Sequence, residues 1–166
     1  KYTIIHEPIP SIDLMERAAQ TLTDAIVRRW DSSYEIVVFV GPGNNGGDAL
    51  AVARMLSKKN YRVEVFLFNT KGSLSEECQK NLERLKTCGS IYFTEISTQF
   101  DPPTLTEKHL VIDGLFGSGL NKPLNGGFAA VVKYINASKA EVVSIDVPSG
   151  LMGEDNTYNV RPNIVR

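Results

Sequence analysis

The chain has 166 residues, of which 42% are hydrophobic and 22% are charged, and its formal net charge is −1. This length and composition indicate one globular domain with a core of its own. The near-neutral net charge leaves no basic excess of the kind that drives binding to nucleic acid or to an anionic membrane. No secretory leader is recognisable, and no apolar run reaches the roughly 20 residues of a membrane helix.

The cysteines and histidines are few and scattered. Cys78 and Cys88 are too few and too close in sequence for a disulfide framework, so a reduced, cytoplasmic compartment is expected. His6 and His109 have no metal-ligand partner at useful spacing, which argues against a zinc site.

Helical periodicity is the first pattern along the chain. Ser11 follows two prolines and is a good N-cap, and apolar residues then recur at helical spacing until the helix ends near Trp30. We expect this stripe to be core packing without chemistry. Its residues are Met15, Ala18, Leu22 and Ile26.

Strands and helices are then predicted in alternation, which favours a parallel sheet covered on both faces. Ser73 or Ser75 is expected to cap one helix and Gly89 to end it. Two prolines make residues 98–106 a loop or a frayed helix. The predicted strands are 35–40, 62–68, 90–94, 109–113 and 141–146, and the predicted helices after the first are 46–59, one through Leu82 and Leu85, and 127–137.

Three of the strands lead into loops rich in glycine and polar residues. These loops are GPGNNGGD at residues 41–48, DGLFGSGL beginning at Asp113, and DVPSGL beginning at Asp146. In an open parallel sheet, ligands bind outside the carboxyl ends of the strands. The sequence therefore predicts that the polar groups of the three loops converge on one cleft.

The first of these loops, residues 41–48, matches the dinucleotide fingerprint GxGxxG in a strand–turn–helix context. Its backbone N–H groups and the following helix N-terminus could hold phosphate. The acid expected after the second strand is absent, because Asn69 offers only an amide. A tight turn with positive φ angles at residues 44–47 is the alternative, but the loop carries more polar residues than a turn requires.

The other two loops also have a structural alternative. Asp113 and Asp146 could each cap the following segment, and Ser149 could be a cap, a phosphate contact or a cation ligand. Ser149 lacks the GxSxG context of a hydrolase nucleophile. Residues 117–119 suit an anion-binding concavity, but no Walker lysine follows any of the loops, so nucleoside triphosphate hydrolysis is not expected.

Together, the segments GPGNNGGDALAVARML, VIDGLFGSGLNKPL and VVSIDVPSGL resemble the NAD(P)H-hydrate epimerase family, the YjeF N-terminal domain. The opening SIDLMERAA resembles the first helix of that family, and Ala49 departs from its usual glycine. The resemblance spans nearly the whole chain. It implies a Rossmann-like three-layer αβα sandwich with a mainly parallel sheet, formed by a single domain over residues 1–166 that we expect to be truncated at its C-terminus.

The resemblance also implies an activity. The family interconverts the R and S forms of hydrated NADH and NADPH, so that an ADP- or ATP-dependent dehydratase specific for one form can restore the whole pool. In many bacteria this dehydratase is fused behind the epimerase, and the chain is expected to be the epimerase part of such a protein. A potassium ion in each subunit and a homodimer are implied too, with no nucleic-acid or membrane partner.

Site residues are implied by position. We expect Asp146 to act as general acid and then base, with Asp48 assisting, because water must leave the hydrated carbon and return to its other face. The implied potassium ligands are Asn45, Asp113 and Ser149. The implied substrate contacts are Asn44, Asn45, Gly46, Gly47, Asp48, Gly117, Ser118, Gly119, Leu120, Asn121, Lys122, Pro123 and Asp146.

Two other functions remain open from the sequence. An ordinary nicotinamide-dependent oxidoreductase would bind intact NAD, but the ribose acid and a substrate domain are missing. A non-catalytic scaffold or nucleotide-binding module would use the same fold. Members of that kind tend to lose the polar loop residues, which this chain retains.

Overall fold

The computed structural model describes residues 11–69, 72–98, 100–116 and 126–145. Helices and strands alternate along these ranges, as the sequence predicts. The elements are α1 (Ser11–Arg29), β1 (Glu35–Val40), α2 (Asn44–Lys58), β2 (Arg62–Phe68), α3 (Glu76–Lys86), β3 (Tyr92–Ile96), β4 (His109–Gly114), α4 (Gly126–Ala137) and β5 (Glu141–Ser144).

The five strands of the described part form one parallel sheet in the order β3-β2-β1-β4-β5. Strand β1 pairs with β2 on one side and with β4 on the other, so the chain changes direction across the sheet at this point. Such a switch point opens a crevice between the loops of a doubly wound sheet. We call the two ends of the strands the carboxyl edge and the amino edge. The α/β fold with a parallel sheet is confirmed.

One face of the sheet is covered by α1, α2 and α3 over an aliphatic core. Alternate residues of β1 point into this layer, as the period of two in a strand requires, and Ile36, Val38 and Val40 are buried there. On α1 one of the four residues predicted for the buried stripe is wrong. Ala19 is buried and Ala18 is exposed, because a helical period traced back from Ile26 reaches residue 19.

The opposite face carries α4 and an aromatic cluster. Phe39, Phe66 and Phe68 come from neighbouring strands, and Phe100 from the loop before β4 stands edge-on to them. The ring centroids of Phe68 and Phe100 are 5.1 Å apart. Edge-to-face contacts of this kind add stabilisation beyond the burial of area. Through Phe100, these contacts anchor the loop of residues 100–106 to the sheet. This loop has no regular secondary structure.

The ends of α3 show one prediction confirmed and another wrong. Ser75 caps the helix, with its Oγ accepting a hydrogen bond from the Cys78 backbone N at 3.1 Å. Gly89 does not end it. The helix stops at Lys86, and the C-cap Thr87 keeps a right-handed φ of −78° while its hydroxyl donates to the Arg84 carbonyl. A left-handed glycine is therefore not required at this end.

Strand boundaries follow the hydrogen-bond register of the sheet. The bounds of β1 and β2 agree with the prediction, whereas β3 is displaced from 90–94 to Tyr92–Ile96. Pairing with β2 determines this shift, because Phe68 is in register with Ile96. Strand β4 extends one residue further, to Gly114, and β5 is described through Ser144.

Candidate active site

The turn between β1 and α2 is held together by close backbone approaches. A Cβ atom at Gly41 would lie 1.9 Å from the Leu115 carbonyl oxygen, and one at Gly46 would lie 1.9 Å from the Gly41 carbonyl oxygen. The Gly41 N–H also donates to the Gly114 carbonyl at 2.9 Å. Only glycine fits at positions 41 and 46, because the crowding atoms belong to the backbone and cannot rotate away.

Gly43, the middle glycine of the fingerprint, is different. It is exposed, and a Cβ atom there would have no neighbour within 4 Å. Gly43 is also the N-cap of α2, and no side chain caps this helix. The first N–H groups of a helix have no carbonyl partner within the helix and carry its positive dipole. This exposed helix start suits an anion such as phosphate.

The alternative of a positive-φ turn at residues 44–47 is wrong. These residues form the first turn of α2, which starts at Asn44 rather than at the predicted Gly46. The Gly47 N–H donates to the Gly43 carbonyl at 3.2 Å, as in a helix. Among the described residues, positive φ angles occur at Asn60 and Gly72.

Asp113 lies near the end of β4, and its side chain is fully buried. Its Oδ1 accepts a hydrogen bond from the Leu115 N–H at 3.3 Å, and its Oδ2 accepts one from the Ser144 hydroxyl at 3.0 Å. A buried carboxylate requires such partners, because its removal from water is unfavourable. Asp113 is therefore held in place from two neighbouring segments.

The segment after β4 is joined directly to the start of α2. The Asn45 side-chain amide donates to the Phe116 carbonyl at 2.9 Å. A Cβ atom at Gly114 would lie 2.3 Å from the Cβ of Ala49, so a glycine at 114 allows α2 to pack against β4. As expected from a parallel sheet, the glycine turn and the Asp113 segment meet at the carboxyl edge.

The remaining predicted site residues fall into two groups. Asp48 is half-buried in α2, one turn after the exposed Asn44. The implied substrate contacts from Gly117 to Pro123, the implied catalytic Asp146 and the implied cation ligand Ser149 lie outside the described residues. Strand β5 ends at Ser144 on the carboxyl edge, and Asp146 follows two positions later in the sequence. The roles of these residues stay predictions.

Sequence reasoning missed two groups at this site, the Ser144 hydroxyl and the Phe116 carbonyl. Ser144 could have been noticed as a polar residue that interrupts the apolar run of β5, directly opposite Asp113 in the sheet register. The Phe116 carbonyl is a backbone group, and no residue type in the sequence marks it.

The oxygen groups at this edge are of the kind that hold a hard cation. The side chain of Asp113 is a buried carboxyl group, and Asn45 and Phe116, which are joined by a hydrogen bond, carry neutral amide and carbonyl oxygens. Oxygen ligands of this kind prefer hard cations, and one carboxylate balances one positive charge. Within the described ranges, no group of three histidine, cysteine or acidic side chains could hold a metal ion.

Cys78 packs beneath the glycine turn. Its thiol contacts the Gly41 carbonyl oxygen at 3.7 Å, and burial raises the pKa of the Cys78 thiol to about 11. At neutral pH the group is therefore a thiol and not a thiolate. Its contribution to the site is packing under the turn rather than nucleophilic chemistry.

Comparison with known proteins gives a consistent result. Residues 11–166 match the family described as YjeF-related protein N-terminus. An NAD(P)H-hydrate epimerase from Limosilactobacillus fermentum is 38% identical over 91% of this chain and 70% of that protein. A bifunctional NAD(P)H-hydrate repair enzyme Nnr from Thermofilum pendens is 37% identical over 85% of this chain and 27% of that protein.

A solved structure supports the fold. The crystal structure of yeast Ynu0, YNL200c, superposes with a TM-score of 0.71 at 24% identity, covering 86% of this chain and 63% of that one. No helix in the described ranges is both long enough and apolar enough to cross a membrane. Since the family match covers nearly the whole sequence and is accompanied by relatives above 30% identity, this chain belongs to the YjeF-related N-terminal family.

Proposed function

We propose that this chain is an isomerase that interconverts the R and S forms of hydrated NADH and NADPH. Relatives named NAD(P)H-hydrate epimerase, which are 32–38% identical to this chain, support this activity. The observation that carries the proposal is the hydrogen bond from Asn45 to the Phe116 carbonyl. It joins an exposed helix start, suited to phosphate, to the segment that holds a buried carboxylate.

Binding of the substrate begins at the glycine turn. The exposed Gly43 allows a phosphate to approach the backbone closely, and the N-terminal N–H groups of α2 donate to it. Gly41 and Gly46 hold the turn in shape because a Cβ atom does not fit at either position, and the backbone N–H of Gly46 remains one of the implied substrate contacts. In this proposal the dinucleotide hydrate binds across the switch point between β1 and β4.

The chemistry requires a proton donor and acceptor next to the hydrated carbon. Once the hydroxyl is protonated, the lone pair of the ring nitrogen can expel it as water, which leaves a planar cation. Water then adds to the other face and gives up its proton. We assign the proton transfers to Asp146, with Asp48 assisting, and one positioned acid–base group contributes roughly 10²–10⁴ in rate.

A potassium ion held by Asn45, Asp113 and Ser149 is part of the proposal. The buried carboxylate of Asp113 and the amide oxygen of Asn45 fit such an ion. When bound, the ion would supply a fixed positive charge beside the phosphate-binding turn. The hydrogen bond from Asn45 to the Phe116 carbonyl and the one from Ser144 to Asp113 orient these groups.

The place of the reaction follows from its chemistry. An epimerase for a damaged cofactor is useful beside a dehydratase that accepts one epimer, and a relative named as a bifunctional repair enzyme is consistent with a fused partner. We propose a homodimer acting in the cytoplasm. The free thiols of Cys78 and Cys88 agree with a reducing compartment.

Exchange between the two hydrate epimers tests the proposal directly. One purified epimer of NADH hydrate is followed by proton NMR with and without the chain, and the chain should accelerate formation of the other epimer. Binding without acceleration would indicate a non-catalytic module, and hydride transfer from intact NADH would indicate an oxidoreductase. Asp146→Asn should abolish exchange while the circular dichroism spectrum is retained, and a variant with the parent rate would show that Asp146 is not the acid–base group.

A further inference from the structure

Ser144, the last residue of β5, lies beside Asp113 in the register of the sheet. Its hydroxyl donates to Oδ2 of Asp113 at 3.0 Å, whereas Oδ1 of the same carboxylate accepts from the Leu115 N–H at 3.3 Å. The two donors thus act on opposite oxygens. The carboxylate cannot turn about its Cβ–Cγ bond without losing one of these hydrogen bonds.

The contact from Ser144 depends on the side chain, whereas the contact from Leu115 does not. Any non-proline residue at position 115 would supply the same backbone N–H. At position 144 the hydroxyl comes from the serine itself, in a strand whose preceding residues are Val142 and Val143. The register is held separately, by the hydrogen bond from the Ile145 N–H to the Asp113 carbonyl at 3.0 Å. Loss of the hydroxyl would therefore leave the backbone pairing of the two strands intact.

We infer that Ser144 is a positioning residue that fixes the orientation of the Asp113 carboxylate, and with it the direction of the lone pairs that a cation would use. The inference rests on the proposed function, in which Asp113 is a cation ligand. Ser144 acts through Asp113 and does not take part in the proton transfers. Its loss should therefore weaken cation binding without lowering the rate that is reached at saturating cation.

Three substitutions separate the hydroxyl from the shape of the side chain. Ser144→Ala removes the donor, whereas Ser144→Thr and Ser144→Val have nearly the same shape and differ in the hydroxyl. Both β-branched residues suit a strand. Ser57→Ala is the matched control, because Ser57 also shares a hydroxyl hydrogen bond, with Ser90 at 2.8 Å, on the exposed end of α2.

Cation binding is measured first without any catalysis. The melting temperature of each variant is followed as potassium chloride replaces choline chloride at constant ionic strength. Ser144→Ala and Ser144→Val should require roughly tenfold more potassium for the half-maximal shift, the effect of about one hydrogen bond to a charged group. Ser144→Thr and Ser57→Ala should titrate like the parent chain.

The same preparations are then assayed for epimer exchange. Ser144→Val should require more potassium for half-maximal rate but reach a maximal rate within about twofold of Ser144→Thr. The inference is overturned if Val and Thr at position 144 titrate alike, or if potassium does not shift the melting temperature of the parent chain. If the parent chain exchanges the epimers, the proposed function stands whether or not the inference about Ser144 does. If the parent chain binds potassium but does not exchange the epimers, the proposed function is wrong, and the role of Ser144 in cation binding is still tested by the Val and Thr variants.

Discussion

The two edges of the sheet both carry charged side chains, but in opposite surroundings. At the amino edge, Glu35 is 44% exposed and lies 3.5 Å from an Arg62 that is 76% exposed, with His109 at 3.9 Å on its other oxygen. At the carboxyl edge, Asp113 has no exposed surface and is held by a backbone N–H and a hydroxyl. Each edge therefore has a carboxylate, and only one of the two is removed from water.

This difference supports the proposed placement of the chemistry at the carboxyl edge. Exposed ion pairs contribute about 0–1 kcal/mol, because water and salt screen them. Fixed donors and charges in a water-excluded site act much more strongly on a ligand, since they need no reorganisation. A cavity of about 240 Å³ at the amino edge is bordered by Tyr92 and by the exposed pair of Glu35 and Arg62.

The largest expected effect comes from Gly46→Ala. The new Cβ would lie 1.9 Å from the Gly41 carbonyl oxygen, so the turn must open, and the free energy of unfolding should fall by about 3 kcal/mol. Urea denaturation followed by circular dichroism measures this loss.

Gly43→Ala is the matched control for Gly46→Ala. The new methyl group meets no protein atom within 4 Å, so stability should change by less than about 1 kcal/mol. The KM for the hydrate should nevertheless rise, because the methyl group lies where a phosphate approaches the turn. Equal losses of stability in the two variants would contradict the assignment of Gly46 to packing of the turn and of Gly43 to substrate binding.

The sequence predicted the fold well where local pattern and packing agree. The bounds of β1 and β2 follow from apolar, β-branched runs, and Asp113 was recognised at a strand end. Ala18 and Gly89 were assigned wrongly, because the helical period traced back from Ile26 reaches Ala19 and because Thr87 ends α3 with a right-handed φ. The hydroxyl of Ser144 became visible only with the register between β4 and β5.

A smaller effect is expected from Ser75→Ala. Ser75 caps α3 and its backbone N–H donates to the Pro42 carbonyl at 2.8 Å, which fastens this helix to the glycine turn. Removing the hydroxyl should lower the free energy of unfolding by about 1 kcal/mol, the usual effect of an N-cap serine. Ser73→Ala is the control, since Ser73 is exposed and should be neutral. If both variants unfold at the same urea concentration, the cap contributes nothing measurable.

The smallest effect is a dependence on alkaline pH that arises from Cys78. Burial raises its pKa from 9.0 to about 11, so the unfolded chain loses this proton at lower pH than the folded chain. The contribution of the thiol to stability is therefore complete below about pH 9 and lost as pH rises to about 11. Denaturation series at pH 8 and pH 10.5 should show a steeper loss for the parent chain than for Cys78→Ala. If the free energy of unfolding fell equally with pH in the parent chain and in Cys78→Ala, the pH dependence would not arise from Cys78.

The most direct test compares the same chemical change at the two edges. In Asp113→Asn the amide oxygen can accept from Leu115 and the amide nitrogen can donate to Ser144, so the fold is kept while the charge is lost. The epimer exchange rate should fall about 10²-fold or more in Asp113→Asn, and stay within about twofold of the parent in Glu35→Gln. An Asp113→Asn variant that exchanges the epimers at the parent rate would contradict an active site at the carboxyl edge.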